Sequence, residues 1–118
     1  MKNRFFVSAV RHIAFTYKIK GELRGDRFEL KIVISSDQLD KNGFVLDFTT
    51  LERVLNMLEN ELKGKDANKL IGKDDFDFKS FLIFISKFVA GHLKVPHILI
   101  SEISLTNNEE GYIARFDS

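Results

Sequence analysis

Four charged side chains of this sequence can contribute to a ligand site: Arg11, Arg24, Asp26 and Glu102. The Glu102 carboxylate has two acceptor oxygens, which match two adjacent N–H donors on one edge of a heterocyclic ligand. Two guanidinium groups around the Asp26 carboxylate leave one net positive charge, and such a cluster either replaces a metal ion structurally or receives an anionic ligand. The competing interpretation is structural, with Glu102 paired to a Lys or Arg and the other three charges pointing to solvent.

Composition excludes several kinds of site. The 118 residues contain no cysteine, so thiolate metal sites, disulfides and cysteine nucleophiles are ruled out. The 18 basic and 17 acidic side chains leave a formal net charge of +1, which argues against binding to nucleic acid or an anionic membrane. No apolar run is long enough for a signal peptide or a membrane span. We expect one cytoplasmic domain covering residues 1–118.

The first part of the chain predicts two antiparallel strands. Odd positions from 5 to 19 are mainly apolar, which is the period of a strand with one buried face. A second alternating run follows at 27–34, and the short connector between the runs, which contains Gly21, favours antiparallel pairing.

Strand parity predicts where the charged residues lie. Arg11 is at an odd position, like the apolar residues of the first strand. Arg24 and Asp26 are at even positions, like the apolar residues of the second strand, so each of the three should lie on the apolar face of its strand. Whether these three side chains converge depends on how the two strands pair. His12 should lie on the opposite face from Arg11.

The middle of the chain predicts a first amphipathic helix. Apolar residues recur at helical spacing from 51 to about 63, and Gly64 is the expected stop. The segment 49–52 has the pattern of a capping box, with a Thr hydroxyl and Glu52 reaching back. We also expect Asp47 to cap the turn into this helix.

A second helix should begin after Asp77 and end at Gly91, with its Phe stripe in the core. The polar connector before it, residues 65–75, is expected to be a loop shaped by Asp66 and Asn68. A loose group of lysines in this region is interpreted as solvated surface: Lys63, Lys65, Lys69 and Lys73.

Two further strands, at about 97–105 and 112–116, complete the order ββααββ. This order predicts an α+β fold, an antiparallel four-stranded sheet with two helices on one face. Phe6, Val10 and Ala14 make the other face of the first strand partly apolar, which favours burial against a neighbouring subunit and hence a homo-oligomer.

Three strings resemble motifs of the 6-pyruvoyl-tetrahydropterin synthase family, which includes the 6-carboxy-tetrahydropterin synthases. Residues 43–48, Gly-Phe-Val-Leu-Asp-Phe, are similar to its G-M-V-x-D-F segment. Residues 62–68, Leu-Lys-Gly-Lys-Asp-Ala-Asn, are similar to its L-D-H-x-D-L-N segment. Residues 100–102, Ile-Ser-Glu, resemble the segment that holds its substrate-anchoring Glu.

This resemblance implies the tunnelling fold, in which trimers join their sheets into a barrel and two trimers stack as a hexamer, with active sites between subunits. It also implies that Glu102 anchors a pterin. The zinc-binding histidines of the family, however, fall on Arg11, Arg24 and Asp26. If the strands pair as in the family, we expect these three side chains to converge where zinc would sit. Arginine cannot coordinate a cation, and Asp26 alone cannot complete a site of three protein ligands. We therefore expect no zinc cofactor.

The family's acid and base residues are also replaced. Its catalytic Cys or Glu falls in the region of Lys20 and Glu22, and the Asp and His of L-D-H fall on Lys63 and Gly64, which cannot form a proton relay. We therefore expect no catalytic residue of the family type. We expect this chain to be a divergent member of the family that binds a pterin- or purine-like ligand through Glu102 at a subunit interface.

Two alternatives stay open. The first is an active carbon–oxygen lyase of the tetrahydropterin synthase type that uses other residues. The second is a non-catalytic structural or interaction subunit.

Overall fold

The computed structural model describes residues 3–63 and 65–116. Its elements, in chain order, are β1 (Phe5–Ile19), β2 (Glu22–Ser36), α1 (Phe48–Leu62), α2 (Ala67–Ile71), α3 (Phe78–Leu93), β3 (Ile98–Thr106) and β4 (Gly111–Arg115). The strands form one antiparallel sheet in the order β1-β2-β3-β4, with the helices on one face, as predicted. None of the described helices is both long enough and apolar enough to span a membrane.

Strands β1 and β2 form a long hairpin whose turn has two residues. Lys20 and Gly21 both have positive φ angles, 52° and 78°, as the central residues of a type I′ turn require. The backbone twist of such a turn matches that of the flanking strands, so pairing runs uninterrupted from Ile19↔Glu22 to Phe5↔Ser36. Strand β1 has its predicted bounds, whereas β2 begins five residues earlier than the alternating run, because pairing with β1 extends it.

Asp47 is the N-cap residue of helix α1, and its side chain accepts a hydrogen bond of 2.9 Å from the backbone N–H of Thr49. The prediction that Asp47 caps this helix is confirmed. The capping box at 49–52 was wrong, because Thr49 and Thr50 already lie in the first helical turn and Glu52 contacts the sheet instead. The predicted stop at Gly64 lies outside the described residues.

The connector between the two long helices is not a plain loop. It contains the short helix α2, so the element order is ββαααββ rather than ββααββ. The Asn68 side chain accepts a hydrogen bond of 2.7 Å from the backbone N–H of Lys18 and donates to the carbonyl oxygens of Lys18 and Asp74 at 2.9 and 2.8 Å. The structural role expected of Asn68 is confirmed: this buried amide attaches the connector to β1.

Further contacts of the connector cover part of the outer edge of β1. Thr16 and Asp66 form a parallel bridge, and the backbone N–H of Lys20 donates to Asp75 Oδ1 at 2.7 Å. Within the described chain, no other element forms backbone hydrogen bonds with the edge at residues 5–14. Ten of the 15 residues of β1 thus form an open sheet edge, and the connector covers only the end nearest the turn.

The core lies between the sheet and helices α1 and α3. The ring of Phe15 stands 4.6 Å from Phe81 of α3 and 5.6 Å from Phe28 of β2, between centroids. Phe81 is fully buried, so the assignment of the Phe stripe to the core is confirmed. Helix α3 runs past the predicted end at Gly91 to Leu93, where Lys94 adopts a left-handed conformation and terminates it.

The sheet face opposite the helices exposes the apolar side chains expected there. Phe6 is 61% exposed and Val10 is 50% exposed in the single chain. Ala14 is exposed as well. Large apolar side chains on an otherwise regular sheet face are typical of surfaces that a partner covers.

Candidate functional site

Arg11 of β1 connects the sheet to helix α1 through side-chain hydrogen bonds. Its guanidinium donates to Glu52 and Asn56 and, at 2.9 Å, to Glu59 Oε1. These three acceptors lie at helical spacing on one face of α1, and the Arg11 side chain is only 15% exposed. The planar, permanently charged fork of arginine suits several oxygen acceptors at once. Arg11 therefore serves a structural contact within the chain.

The expected convergence of Arg11, Arg24 and Asp26 was wrong. Arg11 stands opposite Leu30, whereas Asp26 stands opposite Phe15, four residues further along β1. At about 3.3 Å per residue, this separates them by about 13 Å along the strand. Arg24 lies still nearer the turn, where its exposed side chain stands 3.9 Å from Glu22. The parity prediction was right, but the hairpin register keeps the three residues apart.

Asp26 instead pairs with a buried tyrosine. The Tyr17 hydroxyl donates a hydrogen bond to Asp26 Oδ2, and the Tyr17 side chain belongs to the core. Burial, together with the hydrogen bond and negative charge of Asp26, raises the pKa of Tyr17 to about 12. Tyr17 is therefore a neutral donor at physiological pH, and it orients the carboxylate.

The positions that the resemblance assigns to zinc ligands do not supply a zinc ligand set. Arg11 and Arg24 stay protonated and have no lone pair to donate, and Asp26 is a single ligand. Across residues 3–63 and 65–116, no three His, Cys, Asp or Glu side chains are grouped in a way that could hold a metal ion. The donor chemistry of this region does not fit zinc.

A cleft of about 690 Å³ opens beside Asp26. Its walls are residues 14–16 of β1, residues 25–27 of β2 and five residues between 62 and 69 in the connection from α1 to α2. Asp66 lies in this wall and accepts a hydrogen bond of 2.9 Å from the Thr16 hydroxyl. The cleft thus joins two segments of the family resemblance, 24–26 and 62–68, that are far apart in sequence.

Three lysines of the connector line this cleft. Lys63, Lys65 and Lys69 line it, while Lys73 turns away to an ion pair of 2.9 Å with Asp77. Their bunching in one connector was visible in the sequence. All three side chains are exposed, which agrees with the interpretation of the group as solvated surface. The sequence did not show that this connector lies against β1.

Glu102 is presented by an irregularity in the sheet. The pairing of β2 with β3 shifts between Val33↔Glu102 and Ile34↔Ile100, which leaves Ser101 as an extra residue. The Ser101 hydroxyl lies 2.6 Å from that of Ser35. β-Bulges of this kind redirect side chains and are over-represented beside functional sites.

The Glu102 carboxylate has one partner on the neighbouring strand. Arg115 Nε of β4 donates to Glu102 Oε1 at 3.1 Å, which is the salt bridge that the structural interpretation foresaw. The side chain of Arg115 is 76% exposed and that of Glu102 24% exposed. Ion pairs this exposed contribute about 0–1 kcal/mol, so a ligand can displace Arg115.

Glu102 and the cleft do not meet within one chain. Glu102 pairs with Val33 on the face opposite the helices, whereas Asp26 shares the helix-bearing face with Phe15 and Phe28. His12, as predicted, faces away from Arg11; it lines a second recess on the open side with Arg27.

Comparisons with known proteins give a family and a curated relative. The model of the family described as 6-pyruvoyl tetrahydropterin synthase matches residues 2–113. Among curated proteins, the dihydroneopterin monophosphate aldolase of Pyrococcus furiosus is 28% identical over 112 residues, which cover 93% of this chain and 94% of that protein.

Solved structures show the same fold. The 6-pyruvoyl tetrahydropterin synthase of Caenorhabditis elegans superposes with a TM-score of 0.81 at 8% identity, over 98% of this chain and 97% of that one. The enzyme of the same name from Plasmodium vivax gives 0.65 at 12% identity, over 98% of each chain. At these identities the likeness concerns the fold alone.

The Arg11 contacts predict a large effect on stability. Replacing Arg11 with Met should lower the free energy of unfolding by about 2 kcal/mol, because Glu52 and Glu59 would lose their shared cation. Arg53→Met, at an exposed position of the same helix, is the matched control and should change stability by less than about 0.5 kcal/mol. Urea unfolding measures both, and equal effects would contradict the role of Arg11.

The two tyrosines predict an unusual alkaline titration. The hydrogen bond to Glu110, followed by burial, raises the pKa of Tyr112 to about 12, as burial, followed by the hydrogen bond to Asp26, does for Tyr17. Phenolate absorbance of the native protein should therefore rise near pH 12, whereas the chain unfolded in guanidinium should titrate near about 10.

The sign of the pH dependence follows from the raised pKa. Stability from the neutral phenols is fully present below about pH 10 and is lost as the pH rises toward 12. Tyr17→Phe should remove half of the absorbance change. A native titration near pH 10, with the circular dichroism of the fold intact, would show that Tyr17 is not held as described.

Proposed function

Because this chain belongs to the 6-pyruvoyl tetrahydropterin synthase family, we propose that it binds a pterin-related small molecule through the carboxylate of Glu102. The observation that carries this proposal is the β-bulge at Ser101, which presents Glu102 on the open face of the sheet. Arg115 engages Oε1 only, and no described residue hydrogen-bonds Oε2. A carboxylate in this state can accept two adjacent N–H groups of a pterin ring once Arg115 is displaced.

The proposed site lies between copies of this chain, in a trimer or hexamer. Glu102 of β3 and the cleft at the β1 edge do not meet within one chain, so a ligand that uses both requires a second copy. The open edge at residues 5–14 and the exposed Phe6 and Val10 support such an assembly, because unpaired strand edges and apolar patches are surfaces that partners cover.

We also propose that this binding does not use zinc. Arg11 is engaged with the carboxylates of α1, and Asp26 accepts from Tyr17, so these positions serve contacts within the chain. In this proposal, the zinc-dependent lyase reaction of the family is absent, and ligand recognition depends on hydrogen bonds and charge alone.

Glu102→Gln should weaken the binding of neopterin by about 10- to 100-fold, because the amide lacks the charge that strengthens both hydrogen bonds. Isothermal titration calorimetry provides the measurement. Glu29→Gln, which alters another carboxylate on the open face, is the matched control and should bind neopterin like the wild type.

Three outcomes would contradict the proposal. Equal affinities for Glu102→Gln and the wild type would remove Glu102 as the anchor. Affinity that disappears on dialysis against EDTA and returns with zinc would remove the metal-free mode of binding. Absence of neopterin binding to the wild type would favour a purely structural or interaction subunit.

A second candidate function is aldol cleavage of a pterin side chain. The observation that favours it is the Pyrococcus furiosus relative, an aldolase by name, which is matched over nearly the full length of both chains. In such a cleavage a base removes the proton of a side-chain hydroxyl, and the adjacent carbon–carbon bond breaks to release an aldehyde. The electron pair left on the pterin side then takes up a proton.

Asp26 is the base that the cleft offers for this reaction. Its Oδ2 accepts from Tyr17, while no described residue hydrogen-bonds Oδ1. Incubation with dihydroneopterin monophosphate should release an aldehyde, and Asp26→Asn should slow the release by at least about 100-fold. Lys73→Met is the control, because Lys73 lies outside the cleft. No aldehyde from the wild type, or equal rates for Asp26→Asn and the wild type, would count against this candidate.

A further inference from the structure

Tyr17 contacts the carboxylate of Asp26 from the core and does not line the cleft. The two residues are diagonal neighbours across the hairpin, because Tyr17 stands opposite Arg24 while Asp26 stands opposite Phe15. The Tyr17 residue is only 2% exposed, and its hydroxyl donates to Asp26 Oδ2. Asp26, in contrast, forms part of the cleft wall. Any effect of Tyr17 on a ligand in the cleft must therefore pass through Asp26.

Aromatic rings hold the phenol of Tyr17 in place. Its centroid lies 4.6 Å from that of Phe76 and 5.8 Å from that of Phe78, whose ring plane is inclined by 70°. The ring of Phe15 lies 5.7 Å away between centroids. The backbone N–H of Phe76 also donates to the carbonyl oxygen of Lys18 at 2.9 Å, which attaches this aromatic segment to β1. A ring packed on several sides keeps one rotamer, so its hydroxyl has a fixed position.

The carboxylate of Asp26 has no comparable restraint of its own. The residue is partly exposed, and its neighbour Gly25 has no side chain to pack against it. Among residues 3–63 and 65–116, only Tyr17 forms a hydrogen bond with this carboxylate. A short side chain in such a place has several rotamers open to it. The hydrogen bond selects the one in which Oδ2 meets the phenol and Oδ1 is left to the cleft.

We propose that Tyr17 is a positioning residue, which holds Oδ2 of Asp26 so that Oδ1 serves as the base of the aldol cleavage. The inference rests on that second candidate function. Oδ1 takes the proton of a side-chain hydroxyl, the adjacent carbon–carbon bond breaks, and an aldehyde leaves. The electron pair stays on the pterin-side carbon, to which the proton is returned. Because a misplacement of about 1 Å can cost about 100-fold in rate, fixing the base has a large kinetic effect.

Tyr17 can keep this role through every turnover. Burial, followed by the hydrogen bond and the charge of Asp26, raises the pKa of Tyr17 to about 12. The phenol is therefore protonated at neutral pH and remains a hydrogen-bond donor. Since it does not reach the ligand, it exchanges no proton with it.

A second tyrosine–carboxylate pair provides a matched control. The Tyr112 hydroxyl donates to Glu110 Oε2 at 2.6 Å, and this hydrogen bond, followed by burial, raises the pKa of Tyr112 to about 12. Neither Tyr112 nor Glu110 lines the cleft. Tyr112→Phe therefore removes the same kind of hydroxyl from the same kind of acceptor, away from the proposed base.

Steady-state cleavage of dihydroneopterin monophosphate tests the role of Tyr17. Tyr17→Phe should lower kcat by about tenfold and leave KM near the wild-type value, because the lost hydroxyl orients the base and does not contact the ligand. Tyr112→Phe should keep the wild-type kcat and KM. Thermal unfolding of each variant verifies that the fold is intact.

A double-mutant cycle measures whether the effect passes through Asp26. Tyr17→Phe/Asp26→Asn should be no slower than Asp26→Asn alone, because no carboxylate base is left to position. A tyrosine that only supported the fold would slow both backgrounds by the same factor when replaced, and that result would overturn the inference.

The contact itself has a test that does not depend on activity. In Asp26→Asn, the phenol of Tyr17 should titrate below about 12, since the negative charge is gone while the burial remains. An unchanged alkaline titration would show that Tyr17 does not hold Asp26 and would overturn the positioning role.

Failure of this inference is distinguishable from failure of the proposed function. An active wild type with an equally active Tyr17→Phe would overturn only the positioning role. A wild type that releases no aldehyde would overturn the aldolase candidate together with this role, and it would leave neopterin binding through Glu102 intact. Tyr17→Phe should bind neopterin like the wild type; weaker binding would place Tyr17 in ligand recognition and contradict an action through Asp26 alone.

Discussion

The two-residue turn at Lys20 and Gly21 constrains the whole arrangement, because it sets the register of the β1–β2 hairpin. Every cross-strand neighbour follows from that register, including Arg11 opposite Leu30 and Asp26 opposite Phe15. A slip of one residue would turn the buried side chains of a strand to solvent. The core against α1 and α3 therefore depends on this turn, and so do the contacts available to each charged residue.

Much of the fold followed from the sequence, for identifiable physical reasons. The period of two gave the bounds of β1, the carboxylate of Asp47 marked the start of α1, and the helical spacing of Phe residues placed α3 in the core. Local sequence patterns did not predict the elements whose position depends on tertiary contacts. Helix α2 has five residues and owes its position to the hydrogen bonds of Asn68 with β1, which no local pattern reveals.

The site was less predictable than the fold for the same reason. Parity placed Arg11, Arg24 and Asp26 on the correct face, but convergence also requires a register, and the length of the turn decides it. The lysines of the cleft were visible as a group, yet their common opening exists only because the connector lies along β1. The bulge that presents Glu102 depends on how β2 and β3 pair and has no signature in a single strand.

The connector on the edge of β1 has a further consequence. It occupies the backbone groups from Thr16 to Lys20 and leaves those of residues 5–14 open, so an incoming strand can extend along β1 only until it meets Asp66. Asp66 and its neighbours would block such a strand sterically and limit the registers in which it can pair with β1. In the assembly proposed above, the contact that closes one wall of the cleft would also set the alignment of the incoming strand.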